Sequence, residues 1–266
     1  MIPTATTDWT AAERPGARLG HRLEMHASIG STNDRARALL ATGGGEDVVV
    51  VVAEEQTAGR GRMGRSWTSP PGVNLTASVG VTPDLAADAA WALAPAVGLA
   101  VRSACARVAA VALKWPNDVV DTGGRKLAGL LVEVASEGAR VRHAVLGVGI
   151  NVNWARADMP DELRDAATSL RELAGRPIDR VVLLRVLLDA LGDELAAVEA
   201  GRSPLARYRE ACGTLGARVT VETPSGRIEG RAVDLDERGA LLLETPEGLL
   251  VISSGDVVRV RPRVGA

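Results

Sequence analysis

The chain is nearly free of lysine. Lys114 and Lys126 are its only two, so 29 of its 31 basic residues are arginine. A protein that uses arginine wherever a surface cation will do reserves lysine for sites that want a compact ammonium instead of a planar fork. Phenylalanine is absent, and five tryptophans and one tyrosine are the whole aromatic complement. The core must therefore be built from Ala, Val and Leu, which the 46% hydrophobic content supplies. Cysteine is limited to Cys105 and Cys212, which excludes a disulfide framework and leaves a single pairing open. His21, His26 and His143 share no metal-ligand spacing with each other or with cysteine, so no protein-held metal is expected. No G-x-x-x-x-G-K-[ST] occurs, which excludes a P-loop. The first twenty residues carry no apolar leader-like segment, and runs such as 48–53 and 91–101 fall short of a membrane span. A net charge of −2 argues against a broad nucleic-acid footprint. These absences describe a reduced, cytoplasmic protein with no membrane and no DNA partner.

What is present divides the chain into three parts. Residues 1–20 are polar and irregular and read as a tail. Residues 21–212 carry a Ser/Thr/Asn helix cap at 31–33, a five-valine strand near 47–55 and a Gly/Arg loop over 59–72. Further strands are expected at 74–81, 111–115, 119–121, 126–135 and 140–152. Helices are expected at 84–110, with Pro95 as a kink or break, at 161–174, at 179–200 and near 204–211. Most of the middle is strand joined by tight turns, which predicts an α+β fold with a mixed, largely antiparallel sheet flanked by helices. Residues 213–266 hold five short strands separated by turns, the pattern of a small β-barrel.

The residues that carry chemistry cluster in a few stretches. Gly59-Arg60-Gly61-Arg62-Met63-Gly64-Arg65-Ser66-Trp67 matches G-x-G-x-x-G after a strand. A dinucleotide fingerprint needs a helix to open at its third glycine, and Ser69-Pro70-Pro71-Gly72 forbids one. The charge reading remains. Three arginines on a glycine-interleaved loop suit a phosphate or carboxylate, and single-stranded RNA with Trp67 as a stacking platform is the alternative. Gln56 is the only glutamine and sits just before this loop. Gly147 and Gly149 lie within a buried strand, where glycine is costly unless something approaches the backbone closely.

Together, Ser31-Thr32-Asn33, Gln56 with Gly59 to Trp67, Lys114-Trp115-Pro116-Asn117-Asp118, Arg125-Lys126-Leu127-Ala128-Gly129 and Gly147-Val148-Gly149-Ile150-Asn151 resemble the biotin protein ligases, in the family's order over about 120 residues. The resemblance implies a class II synthetase-like catalytic domain and an SH3-like C-terminal barrel. It implies that biotin and MgATP form biotinyl-5′-AMP, and that biotin then passes to a lysine of a biotin carboxyl-carrier domain of an acyl-CoA or pyruvate carboxylase. By position in the motifs, Lys126, Arg60, Arg62 and Asp118 would be catalytic. Ser31, Thr32, Asn33, Gln56, Gly129, Gly147 and Gly149 would hold biotin. Arg60, Gly61, Arg62, Arg65, Trp67, Lys126 and Asn151 would hold the adenylate, with Trp67 and Asn151 framing adenine. Lys114 would steady the turn that follows it. The bifunctional members carry an N-terminal DNA-binding domain that twenty residues cannot make, so a ligase without repressor function is expected. Lipoate ligation is the neighbouring enzymatic alternative.

Overall fold

The computed structural model describes residues 7–41 and 48–261. Residues 1–6 of the expected tail, Asp47 of the expected strand and residues 262–266 lie outside that range. Among the described residues, seven strands form one sheet: β1 (Glu24–His26), β2 (Val48–Ala53), β3 (Leu75–Val81), β4 (Val111–Lys114), β5 (Asp118–Asp121), β6 (Lys126–Glu137) and β7 (Arg140–Ile150). Their order is β1-β2-β3-β7-β6-β5-β4, with β1 parallel to β2 and the other neighbours antiparallel. The mixed, largely antiparallel sheet is thus as the turn pattern predicts.

Helices cover both faces. Helix α1 (Thr32–Ala41) packs Ala36 on Val49, Val51 and Val145. Val50 and Val52 point the other way, into the main core with α2 (Leu93–Ala106) and α5 (Arg180–Glu199). A strand covered on both sides has no reason to alternate, which explains the five-valine run. The helix expected over 84–110 changes from a 3-10 stretch, Ala87–Ala92, to α2 just before Pro95. Pro95 is the third residue of α2, where the N–H has no partner within the helix. The helical stretch Ala87–Ala106 is 20 residues long and apolar enough to reach across a bilayer, longer than the run of apolar letters suggested. Its Leu93, Val97, Ala100, Val101 and Ala104 are instead buried in the core, and α2 lies against α5.

Two expectations change. The helix expected over 161–174 is two short ones, α3 (Asp161–Arg164) and α4 (Leu170–Ala174). Between them the chain pairs with Lys126: the Lys126 amide donates to Ala166 O at 2.8 Å and the Thr168 amide to Lys126 O at 2.9 Å. Local helix propensity yields there to the start of β6, where Lys126 lies beyond the last β7 pairing at Ala128–Ile150 and needs a partner. The segment read as a tail is docked from Thr7 onward. Trp9 is 2% exposed, its Nε1 donates to Glu54 Oε1 at 3.0 Å, and its ring lies 5.1 Å from the Arg180 guanidinium. Arg180 donates in turn to Glu54 Oε2 at 2.7 Å and to Asn74 O at 2.8 Å.

After α6 (Leu205–Ala211), five strands form a second, wholly antiparallel sheet: β8 (Arg218–Thr223), β9 (Gly226–Leu235), β10 (Leu241–Thr245), β11 (Gly248–Ile252) and β12 (Asp256–Arg261), ordered β11-β10-β9-β8-β12. Strand β9 pairs β8 through its first half and β10 through its second. Val219, Val221, Leu241 and Leu243 join this sheet to the main core. Trp115 Nε1 donates to Gly239 O at 3.0 Å, and Arg209 donates to Asp234 at 2.8 Å and to Leu235 O at 2.7 Å.

Candidate functional site

A cavity of about 320 Å³ opens where the two sheets meet. Its polar wall is built by the N-terminus of α1. Beyond β2 the chain keeps its parallel register with residues 29–30, through Thr57 N to Ile29 O at 2.9 Å and Ala58 N to Gly30 O at 2.8 Å. That register sets Gln56 beside the helix start, where its Oε1 accepts from Thr32 N at 2.8 Å and Thr32 Oγ1 at 3.0 Å. Ser31 is the N-cap of α1: its carbonyl accepts from Arg35 N at 3.1 Å and its Oγ from Asp34 N at 3.5 Å. Ser78 is fully buried and donates toward Asn33 Oδ1 and Thr32 Oγ1, at 2.6 and 2.7 Å. Asn33 donates to Glu133 at 2.7 Å.

Sequence reasoning missed Ser78 and Glu133. The signal for Ser78 was a pair of polar residues, Thr76 and Ser78, at alternate positions of an otherwise apolar β3. The glycines of β7 are explained by these neighbours. A Cβ on Gly147 would lie 3.0 Å from Asn33 Cγ, and one on Gly149 would lie 2.6 Å from Trp67 Cζ2. What approaches the bare backbone is this protein's own Asn33 and Trp67.

A charged wall is built from β4, β5 and β6. Lys114 and Asp118 face each other across the β4–β5 hairpin, with Nζ to Oδ2 at 3.9 Å. A bulge in β6 sets Val119 against Ala128 but Val120 against Lys126. Bulges re-aim side chains at sheet rims, and Lys126 Nζ ends 2.6 Å from Asp118 Oδ1 and 5.7 Å from the Trp67 ring centre. Burial pushes the Lys114 ammonium below its ordinary value, with Asp118 opposing and Lys126 adding to the shift. Asn117 fixes the turn by donating to Leu130 O at 2.7 Å.

The arginine loop is a closed turn. Arg60 bridges Ser66, the Gly61 amide donates to Arg65 O at 2.7 Å, and the Trp67 amide donates to Gly59 O at 2.9 Å. Each of its arginines has a carboxylate. Arg60 holds Asp34 with both fork nitrogens at 2.7 Å, which lowers the Asp34 pKa and raises its own. Arg65 donates to Asp256 at the start of β12, and Arg62 lies 3.7 Å from the same carboxylate. Asp256 comes from the second sheet, and nothing local in the sequence marks it.

The cavity wall brings together Ser31, Thr32, Asn33, Gln56, Arg60, Gly61, Arg62, Arg65, Trp67, Lys114, Asp118, Lys126, Gly129, Gly147 and Gly149. Asn151 is the exception. It is 4% exposed, and its amide donates to Thr168 O at 3.0 Å and to Lys126 O at 3.5 Å. It lies behind the wall and holds the backbone of Lys126, because the strand pairing at 166–168 covers it.

The model of the biotin/lipoate A/B protein ligase family matches residues 26–151, and that of the biotin protein ligase C-terminal domain matches residues 214–260. The biotin–[acetyl-CoA-carboxylase] ligase of Mycobacterium tuberculosis is 42% identical over 92% of this chain and 92% of its own length. The chain belongs to the biotin protein ligase family. The bifunctional ligase/repressor BirA of Bacillus subtilis is another relative of this biotin protein ligase chain, 36% identical over 90% of the chain and 74% of its own length. Among solved structures, the Aquifex aeolicus biotin protein ligase in complex with biotin and ATP superposes with a TM-score of 0.74 at 30% identity, over 91% of this chain and 99% of that one. The Leishmania major biotin protein ligase with biotinyl-5-AMP gives 0.61 at 28% identity, over 88% of this chain and 99% of that one.

Proposed function

We propose that this chain activates biotin with ATP and transfers it to a lysine of a biotin carboxyl-carrier domain. The observation that carries the reading is one cavity wall holding both the Thr32–Gln56 amide and hydroxyl cluster and the Lys126–Asp118 pair. The first suits the short polar groups of a ureido ring set among apolar neighbours. The second lies where two anions, a carboxylate and an α-phosphate, must be brought together.

In the first step a biotin carboxylate oxygen attacks the α-phosphorus. An O–P bond forms, the bond to the bridging oxygen breaks, and pyrophosphate leaves. Lys126 stabilises the charge that develops, and Arg62 and Arg65 offer donors to the departing phosphates. In the second step a neutral lysine amine attacks the acyl carbon. The C–N bond forms, the C–O bond to AMP breaks, and the amine proton passes to Asp118 or solvent. Mg²⁺ favours oxygen ligands and takes one or two carboxylates beside substrate phosphates. Asp118 fits that role, and among the described residues no group of three or more metal-ligating side chains occurs, so the ion would arrive with ATP. When bound it supplies charge neutralisation on the phosphates. The domain division near residue 212, the cytoplasmic setting and the absence of operator binding belong to the same reading. A specific, salt-resistant gel shift would overturn the last.

The test is pyrophosphate release with biotin and MgATP, followed by label transfer to an apo carrier domain. Lipoyl transfer without biotinyl transfer would replace the reading with lipoate ligation. RNA affinity with a steep salt slope and no pyrophosphate would replace it with a nucleic-acid module. A second expectation concerns Trp67 as the adenine face. Gly149→Ala forces the indole to move at a cost of about 1–3 kcal/mol, so the KM for ATP should rise with little change in the KM for biotin. An unchanged KM for ATP would remove Trp67 from the adenine site.

A further inference from the structure

The loop that delivers Asp118 to the cavity is short, Trp115 to Asn117, between β4 and β5. One side of it is tied to β6. The Leu130 amide donates to Asn117 O at 3.0 Å, and the Asn117 side chain donates to Leu130 O at 2.7 Å. The other side faces the segment that leads into the second sheet. Strand β4 ends its own sheet, and an isolated parallel bridge between Leu113 and Cys212 covers part of its free edge. The Gly213 amide donates there to Leu113 O at 2.9 Å. The next outward donor on that edge is the Trp115 amide. Backbone pairing stops short of it, and the Thr214 hydroxyl accepts instead, with Trp115 N to Oγ1 at 3.0 Å.

Both partners are buried, Trp115 at 4% and Thr214 at 1% exposure. A buried amide needs an acceptor, and leaving it without one is costly. The remaining contacts on this side do not replace the bond. Trp115 Nε1 to Gly239 O fixes the indole, not the backbone. Tyr208 OH lies 3.4 Å from Pro116 O, which is long for a hydroxyl donor. Thr214 therefore sets where the loop leaves β4. Three residues beyond Trp115, Asp118 Oδ1 meets Lys126 Nζ at 2.6 Å. Trp115 to Asp118 all line the cavity, whereas Thr214 stands behind them, outside its wall.

We propose that Thr214 is a positioning residue for the ligase reaction. Through the Trp115 amide it holds the 115–117 loop so that Asp118 and Lys126 meet at the cavity. Without the hydroxyl, the loop shifts to find its amide another acceptor and carries Asp118 with it. The inference rests on the ligase reading and holds whichever of the two steps Asp118 serves.

Thr214→Val removes the acceptor from a side chain of nearly the same shape, and Thr214→Ser keeps it. Pyrophosphate release and biotin transfer to an apo carrier domain are measured for wild type, both variants, Asp118→Asn and Asp118→Asn/Thr214→Val. The valine variant should lose about tenfold or more in kcat, since a displacement of about 1 Å costs up to 10²-fold. The loss should fall on the same step that Asp118→Asn slows more, with the KM for biotin unchanged and most of the rate restored by serine. Valine should add nothing in the Asp118→Asn background, because the group it displaces is already gone. Thr214→Ala carries the same expectation if the valine variant does not fold. Wild-type kcat without the hydroxyl overturns the inference. So does a loss additive with Asp118→Asn, a change confined to the KM for biotin, or a serine variant as poor as valine. A wild-type protein with neither activity overturns the ligase reading, and this inference with it.

Discussion

Lys126→Ala should slow pyrophosphate release with biotin and MgATP by about 10²–10³-fold, the usual consequence of removing one preorganised donor from a site where charge develops. The effect should fall on kcat more than on the KM for biotin, because the polar contacts of Thr32 and Gln56 are untouched. Lys126→Arg should be nearly as poor, although it keeps the charge. The side chain lies against bare backbone: a Cβ placed on Gly129 would be 3.1 Å from Lys126 Cε and 3.2 Å from Nζ. A planar guanidinium is larger than an ammonium and cannot lie as close to the Gly129 backbone. The arginine variant therefore separates shape from charge, and wild-type rates in it would remove the need for a compact ammonium. Asp118→Asn should leave pyrophosphate release less affected than biotin transfer if the carboxylate serves the incoming amine. Equal loss in both steps would place it on the nucleotide instead.

Glu54→Ala should destabilise the fold by about 3–5 kcal/mol, read as a lower urea midpoint, because it leaves Arg180 buried without its partner. Both side chains are 6% exposed, and the pair also anchors Trp9. The double variant Glu54→Leu/Arg180→Met should recover most of the loss, since apolar residues of similar volume replace a buried pair at little cost. Burial pushes the Glu54 carboxyl up, but Arg180, through hydrogen bonds and charge, with Thr7 and Trp9, more than offsets it and leaves the group below its usual 4.5. A depressed carboxylate stabilises the folded state above its unfolded pKa. That contribution is lost as pH falls through the folded value. Acid unfolding of the wild type should therefore steepen below pH 4.5, and the double variant should lack that component. Variants that melt with the wild type at every pH would remove the pair from the stability argument.

Much of the site was legible because its residues come in short runs whose spacing survives folding unchanged. Lys114 to Asp118 is one hairpin, and Lys126 to Gly129 opens the next strand, so their meeting needs only a tight antiparallel return. The scarcity of lysine marked both positions, the motifs gave them different roles, and the structure supplies the geometry. Lys126 reaches Asp118 at 2.6 Å and the Trp67 face, while Lys114 is further from the same carboxylate and desolvated. The glycines of β7 announced a close approach without saying by what. Asn151 was placed on the wall by its motif and lies behind it, because a pairing between residues 166–168 and Lys126 cannot be read from a segment that looks helical by itself.

By itself, then, the sequence determined most of the element types, the largely antiparallel character of the first sheet and the chemistry of the motif residues. These follow from hydrophobic period, turn residues and side-chain type, all of which act over a few positions. Tertiary structure alone decided which carboxylate meets which arginine, what fills the space above each glycine, and that Asp256, some 190 residues from the loop, closes on Arg65. The last of these depends on how the two sheets are set against each other. That arrangement is fixed by the shared packing of Trp115, Tyr208, Val219 and Leu241 over the whole core, and no short stretch of the chain encodes it.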